Sequence, residues 1–300
     1  MKNRRMIWIA FLASAFTAGM CAEETSEPPA VYPLGKYEYL SLSDTTIHAP
    51  GAGVLVLKDE TFFIGQYALH MIDDDVLEPS RFHTIDVMFD GNRGRHSVLS
   101  LFSTASDVPV AGGWHTFQMA TVYGYRLIDT ERTKLTLGGG LALSDFGIDT
   151  PDGGVWPLLP VPYIEGSYTS RTVAVSLDFI TGPNLNVTIA PDARLKGVID
   201  ARIDQSRSIE DLIFEAAIVY QPISLGIANK TFSYDLADDR ESWDAGSYVV
   251  FGKVDLTVLS VTGGYAFNSW RRWDDELERN GTSGFYLGVD VLVPLGGERQ

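Results

Sequence analysis

The chain has 300 residues, a formal net charge of −16 and a single cysteine. Hydrophobic residues make up 45% and glycine contributes 29 residues, so the chain is not a collagen, a low-complexity disordered chain or a disulfide scaffold. The acidic balance argues against nucleic acid as a partner, because a phosphate backbone binds a basic face.

Residues 1–22 have the layout of an export signal. Lys2, Arg4 and Arg5 form a positive segment, an apolar stretch follows as far as Met20, and acidic, polar sequence begins directly afterwards. The apolar stretch is short for a membrane-spanning helix, although an uncleaved anchor remains an alternative. We expect cleavage after residue 22. Lipid attachment at Cys21 is the alternative. A small residue normally precedes a lipidated cysteine, and Met20 does not fit that pattern.

The remaining chain divides into three predicted parts. Residues 23–50 are polar and contain prolines, and they predict a loosely ordered lead-in. Residues 51–296 predict a β-barrel, and residues 297–300 a polar tail. After residue 22 no window of about 18 consecutive apolar residues occurs, so the sequence predicts no transmembrane helix.

From residue 51 onward, apolar and polar residues alternate with the period of a β-strand. In residues 194–204 every charged side chain falls on one face, and the other face is apolar or glycine. Residues 212–220, 248–258 and 285–293 follow the same alternation. The only modest helical candidate is polar and covers residues 271–279.

Connections between these segments alternate between short turns and longer acidic or glycine- and proline-rich stretches. An up-and-down antiparallel meander produces this pattern, with tight turns at one end and long loops at the other. Closed barrels of exported bacterial proteins have an even number of strands. We therefore predict about 12 strands, with roughly 10 to 14 allowed.

Two folds explain strands with two different faces. In a soluble β-sandwich the apolar faces pack against each other, whereas in a transmembrane barrel they face lipid and the polar faces surround a wet lumen. Several segments have the length needed to cross a bilayer, and aromatic residues gather near segment ends. Together with the export signal, these features favour an all-β, closed antiparallel up-and-down transmembrane β-barrel.

The run PYIEGSYTSRTVAVSLDFITGPNLNVTIAPDARLKGVIDARID and the closing GFYLGVDVLVPL carry a family resemblance. They resemble the repeated hairpins of uncharacterised, porin-like outer-membrane β-barrel families of Gram-negative bacteria. The resemblance is one of architecture and brings no catalytic or binding motif. It implies the lipid bilayer of the outer membrane and the barrel-assembly machinery as partners.

The sequence has no recognisable catalytic or metal-binding motif. The five histidines have no zinc-ligand spacing, and the sequence has no nucleotide-binding or nucleophile-elbow motif. His83 with Asp86 and His96 with Ser97 are the nearest polar sets, and polar lumen or loop residues explain them better than catalysis. We predict no enzyme and assign no catalytic, cofactor-binding or metal-binding residues.

Acidic clusters occur in three predicted long loops, at residues 73–75, 238–239 and 274–276. Carboxylates there could bind divalent cations or bridge through them to lipopolysaccharide phosphates, because hard oxygen ligands suit Ca²⁺ and Mg²⁺. A solvated, mutually repelling surface is the simpler interpretation.

The charged side chains of the polar faces carry the functional hypothesis, a porin-like channel for small solutes in the outer membrane. The alternatives are a structural or surface-interaction barrel without an open pore, and a soluble secreted or periplasmic β-sandwich that binds a ligand. In the channel, inward charges would set selectivity. The residues predicted to line the lumen are Arg194, Lys196, Asp200, Arg202, Asp204, Glu215, Lys253, Asp255 and Asp290.

Overall fold

The computed structural model describes residues 29–42, 45–74, 81–106, 116–149, 155–179, 182–203, 212–235, 242–273, 276–279 and 283–293. All of these residues lie in β-strands or in the turns and bends that join them. Within these ranges there is no helix long and apolar enough to cross a membrane.

Within the described residues the strands follow one another along the chain, and no helix lies between them. They are β1 Ala30–Ser41, β2 Thr45–Lys58, β3 Thr61–Asp74, β4 Arg81–Arg93, β5 His96–Ser106, β6 Thr116–Asp129, β7 Thr133–Asp149, β8 Val155–Thr169, β9 Val173–Phe179, β10 Pro183–Ile189, β11 Leu195–Ile203, β12 Leu212–Tyr220, β13 Ile223–Asp235, β14 Ser242–Asp255, β15 Leu259–Trp273, β16 Glu276–Arg279 and β17 Gly284–Leu292.

One antiparallel sheet closes on itself. Each strand from β1 to β15 pairs with the next along the chain, and β17 pairs with both β15 and β1. The short β16 pairs with the end of β15 that β17 does not reach, so β16 and β17 share one position in the ring. The fold is therefore a closed antiparallel barrel of 16 strands, and the alternative of a β-sandwich with two stacked sheets is wrong.

The predicted number of about 12 strands is too low, and prolines are the first reason. Proline lacks an amide hydrogen and argues against a strand, yet Pro33 lies in β1 and Pro50 in β2. Pro50 is accommodated because the ladder between β2 and β3 skips from His48 to Gly51. Residues 30–41 and 45–50, which belong to the predicted lead-in of residues 23–50, are thus part of the barrel wall.

Strand length is the second reason. β9 and β10 have only 7 residues each, fewer than the length usually needed to cross a bilayer. The predicted helical candidate at residues 271–279 is also wrong. Its first residues end β15 and its last four form β16, which pairs with β15 from Trp270 to Trp273.

The two ends of the barrel differ as the meander predicts. Short turns at residues 59–60, 94–95, 130–132, 170–172, 190–194, 221–222 and 256–258 lie at one end, which we call the turn end. The first and last strands also meet there, since the Val293 amide donates to the Pro33 carbonyl. The connections at the opposite, loop end lie mostly outside the described residues.

Contacts between strands that are not neighbours identify the inner face. Arg271 of β15 contacts Asp74 of β3, with 3.2 Å between Nη1 and Oδ2. The ring of His70, also on β3, lies 6.1 Å from the ring of Phe232 on β13. Since side chains alternate along a strand, these residues fix the inward and outward positions of their strands, and directly paired residues extend the assignment around the ring.

The outer face is apolar and exposed. Leu225, Ile218 and Phe285 are 64%, 62% and 60% exposed, although they are large hydrophobic residues. Similar outward positions on other strands are occupied by Leu137, Leu141, Tyr168, Leu177, Ile189, Leu195, Ile199, Val250 and Tyr265. Such a continuous band is unusual for a surface in contact with water.

Candidate functional site on the inner face

Apolar side chains fill part of the barrel interior. They come from β1–β4, β13–β15 and β17, and Leu40, Ile47 and Val249 among them are fully buried. We call them the inner apolar cluster, which comprises Leu40, Leu42, Ile47, Ala49, Ile72, Phe82, Ala228, Phe232, Ala245, Val249, Phe251, Ala266 and Tyr286. The alternation pattern alone does not predict this cluster, so about half of the ring has a more apolar interior than expected.

An ion pair crosses the interior beside this cluster. The Asp74 side chain is fully buried, and it accepts hydrogen bonds from Arg271 Nη1 at 3.2 Å and from Thr45 Oγ1 at 2.7 Å. β15 and β3 are not neighbours in the sheet, so the ion pair contacts two separate parts of the barrel wall. It therefore ties two sides of the wall together at the loop end.

Removal of Arg271 is expected to weaken the barrel because it leaves a buried carboxylate without its cation. We expect Arg271→Ala to lower the free energy of unfolding by about 3 kcal/mol, measured by guanidinium unfolding in lipid vesicles. In the Arg271→Ala background, Asp74→Asn should recover much of the loss, because the buried charge is then gone. Equal stability of the wild type and Arg271→Ala would contradict the role of the pair.

The same geometry corrects one predicted loop site. Asp73 and Asp74 belong to β3 and not to a loop, and Arg271 neutralises Asp74. The predicted loop position of Asp73 and Asp74 is therefore wrong, whereas Asp75 lies outside the described residues and cation binding at residues 73–75 stays a prediction. Residues 238–239 and 274–275 lie outside the described residues, and Glu276 begins β16.

The predicted lumen residues of β11 and β12 come together on the inner face. Lys196, Asp200 and Arg202 alternate along β11, and Asp200 lies opposite Glu215 of β12. Glu215 in turn lies opposite Ala228 of the inner apolar cluster. Because directly opposite residues share a face of the sheet, all four charged residues lie on the inner side of the wall.

The predicted residues of β14 and β17 form a separate group. Lys253 is two residues from Phe251 of the inner apolar cluster, and its ammonium lies 3.1 Å from the Asp255 carboxylate. Asp290 lies opposite Lys36 of β1. This group is separated in the ring from the charged residues of β11 by β12 and β13.

Two predicted residues stand apart from these groups. Arg194 lies in the turn before β11, and its guanidinium carbon is 5.8 Å from the centre of the Tyr220 ring. Tyr220 is 49% exposed and alternates with the inward residues of β12, so Arg194 contacts the outer face through a cation–π interaction. Its predicted place in the lumen is corrected accordingly. Asp204 lies outside the described residues.

The pairing of β8 with β9 and of β11 with β12 brings together carboxylates that are separated in the sequence. Glu165 lies opposite Asp178, and Asp200 lies opposite Glu215. On the intervening β10, Asn184 donates to Asp178 at 3.0 Å and Asn186 to Asp200 at 3.3 Å. We call the four carboxylates the acid belt, which comprises Glu165, Asp178, Asp200 and Glu215. None of them forms a salt bridge with another residue that the structure describes.

Glu165 and Asp178 were not among the predicted lumen residues. Asp178 does alternate with Val175 and Leu177, and that alternation is a signal for an inward position. Its alignment with Glu165 depends on the pairing of β8 with β9. The belt becomes visible only once the strand register is known.

The histidine sets considered for catalysis are divided between the two faces. His83 hydrogen-bonds with the exposed Tyr67, whereas Asp86 is three residues along β4 and on the opposite face. His96 and Ser97 are successive residues of β5 and also point to opposite faces. Within the described ranges, no group of three or more His, Cys, Asp or Glu side chains could hold a metal ion.

No protein-family model matches the chain, and no curated protein matches it. Solved structures similar in shape include three Pseudomonas aeruginosa proteins. OpdQ is 12% identical with a TM-score of 0.40, covering 90% of this chain and 100% of its own. OprD is 13% identical with a TM-score of 0.39, covering 92% of this chain and 98% of its own. OccK2 (OpdF) is 10% identical with a TM-score of 0.38, covering 90% of this chain and 98% of its own. These values are too low for any property of those proteins to be transferred to this chain.

Proposed function

We propose that the protein is an outer-membrane channel for small solutes. The observation that carries the proposal is the distribution of side chains on one closed ring. Large apolar side chains cover the outside, whereas carboxylates, lysines and arginines lie inside. A water-soluble barrel would have the opposite distribution.

The outer face supports a lipid environment. Its exposed leucine, isoleucine and valine side chains continue from strand to strand around the ring. Outward tyrosines such as Tyr168 and Tyr220 lie next to the turn end, at 45% and 49% exposure. Amphipathic aromatic rings at such a boundary are favoured where hydrocarbon meets water.

The size and lining of the interior support a wet path. Barrels of about 16 strands are wide enough to leave an aqueous channel. The inner apolar cluster occupies the side formed by β13–β15, β17 and β1–β4, and the acid belt lies on the opposite side. The path therefore runs beside β8–β12, where Lys196, Asp200, Arg202 and Glu215 line it. Lys253, Asp255 and Asp290 belong to the strands of the inner apolar cluster, and they lie near the turn end of those strands.

Planar-bilayer recording tests this proposal. The folded protein should produce discrete conductance steps in KCl, and Arg202→Glu should raise the preference for K⁺ over Cl⁻ because it adds negative charge to the path. Arg171→Glu is the matched control, since Arg171 is exposed in the turn between β8 and β9. An unchanged reversal potential for Arg202→Glu in active channels would contradict the lining.

A barrel without an open pore is the second candidate. The inner apolar cluster and the Arg271–Asp74 pair favour it, because both join distant parts of the wall across the interior. In that case folded protein would insert into bilayers without conductance. The barrel would then act as a structural or surface-interaction protein through its loop end.

The cellular route belongs to the same proposal. Residues 1–22, which lie outside the described residues, would direct export, and the barrel-assembly machinery would insert the chain. Lipopolysaccharide and divalent cations would meet the acidic residues at the loop end. Heat-modifiable migration on a denaturing gel, together with recovery in the outer-membrane fraction, tests this placement.

A further inference from the structure

A recess opens on the inner face of β1–β4, on the turn-end side of the inner apolar cluster. It has a volume of about 140 Å³. Its floor is formed by small residues, Ala49, Gly51 and Ala68. A Cβ on Gly51 would lie 3.0 Å from the Tyr67 carbonyl oxygen and 3.3 Å from the Ala68 Cβ, so a larger residue at position 51 would crowd the neighbouring strand β3. We call it the β1–β4 recess.

A cation lies at one side of the recess. Lys36 of β1 is 47% exposed, and its ammonium lies 2.8 Å from Glu38 Oε2. Glu38 also accepts a hydrogen bond from the Tyr286 hydroxyl at 2.8 Å. A lysine ammonium has three donors, and one of them suffices for Glu38. Lys36 therefore keeps donors that can reach a ligand in the recess.

An anion lies at the other side. Asp86 of β4 is exposed, and its Oδ1 accepts a hydrogen bond from Ser103 at 2.6 Å. Among the described residues it has no salt-bridge partner. Gln66 of β3 lies directly opposite Asp86 and also lines the recess. The wall thus presents an ammonium, an amide and a carboxylate in order from β1 to β4.

We propose that the β1–β4 recess binds a small bipolar solute, an ω-amino acid whose carboxylate contacts Lys36 and whose ammonium contacts Asp86. The ammonium of such a solute would supply the salt-bridge partner that Asp86 lacks among the described residues, and its carboxylate would accept from the Lys36 donors that Glu38 does not use. The strands β1 and β4 are three strand spacings apart, about 14 Å, which suits a ligand whose charges are separated by a short carbon chain. The volume is close to that of cavities which hold a benzene-sized molecule. This inference rests on the proposed channel, since the solute must reach the interior.

Calorimetric titration of the full-length protein in detergent tests the proposal, with 4-aminobutanoate and 6-aminohexanoate as probes. At least one of them should bind, whereas hexanoate and hexylamine should bind about tenfold more weakly. Lys36→Gln and Asp86→Asn should each weaken binding about tenfold, as loss of a charge-assisted hydrogen bond implies. Lys58→Gln and Asp192→Asn, which lie beside the turns outside the recess, should bind as the wild type does.

A third variant separates the recess from its charges. Ala68→Leu keeps Lys36 and Asp86 but fills the floor, so it should abolish binding, and it serves if Lys36→Gln fails to fold. Failure of both probes to bind, or binding as tight as that of the wild type by both Asp86→Asn and Ala68→Leu, would overturn the proposal. Since titration needs no conduction, a protein that binds without conducting overturns only the channel. A protein that conducts without binding overturns only the recess.

Discussion

Replacement of Ile199 by arginine is expected to lower the free energy of unfolding in lipid vesicles by about 2–4 kcal/mol. Ile199 lies in the middle of β11, is 40% exposed and alternates with the inward Asp200. In the proposed orientation its side chain faces hydrocarbon near the bilayer midplane. A guanidinium there loses its hydration and finds no partner in the lipid.

The matched control places the same charge outside the membrane. Ala193 is exposed in the turn between β10 and β11, and Ala193→Arg should change the free energy of unfolding by less than about 0.5 kcal/mol. Guanidinium titration in vesicles, followed by tryptophan fluorescence, measures both variants. If Ile199→Arg were as stable as Ala193→Arg, the outer face would not contact lipid.

Neutralisation of the acid belt is expected to produce the second large effect. Exchange of Glu165, Asp178, Asp200 and Glu215 for their amides should lower the K⁺ over Cl⁻ permeability ratio by roughly three- to tenfold at 0.1 M KCl. The four carboxylates lie on the inner face of β8, β9, β11 and β12 without a described salt bridge, so their fields add. Reversal potentials in a KCl gradient measure the ratio.

The salt dependence of the ratio and two variants that remove positive charge provide the controls for this test. At 1 M KCl the Debye length is only about 3 Å, so the difference between the variant and the wild type should shrink. Lys196→Gln and Arg202→Gln remove positive charge from β11 and should shift the ratio in the opposite direction. A ratio that stays constant in all of these variants would place the path away from β8–β12.

Local sequence patterns predicted the faces of individual strands well. Alternation is a property of neighbouring residues, so the charged face of residues 196–202 could be recognised without knowing the fold. Closure of the sheet and the difference between its two ends are also confirmed. The number of strands is wrong because prolines and short strands break the local signal at β1, β2, β9 and β10.

Features that depend on distant residues could not be predicted in this way. Val249 and Phe251 lie in an uninterrupted apolar run, in which alternation does not separate inward from outward positions. Asp74 belongs to a run of three aspartates typical of a loop, yet its partner Arg271 is 197 residues away. The β1–β4 recess likewise needs the pairing of four strands before its two charges share one space.

Pairing of the first strand with the last has a consequence for assembly. Until β17 reaches β1, the growing sheet has two unpaired edges, and such edges recruit other strands into aggregates. The final contact joins residues almost a full chain length apart, so its contact order is high and closure comes late. An assembly factor that covers one edge until closure would therefore protect this chain at its most vulnerable stage.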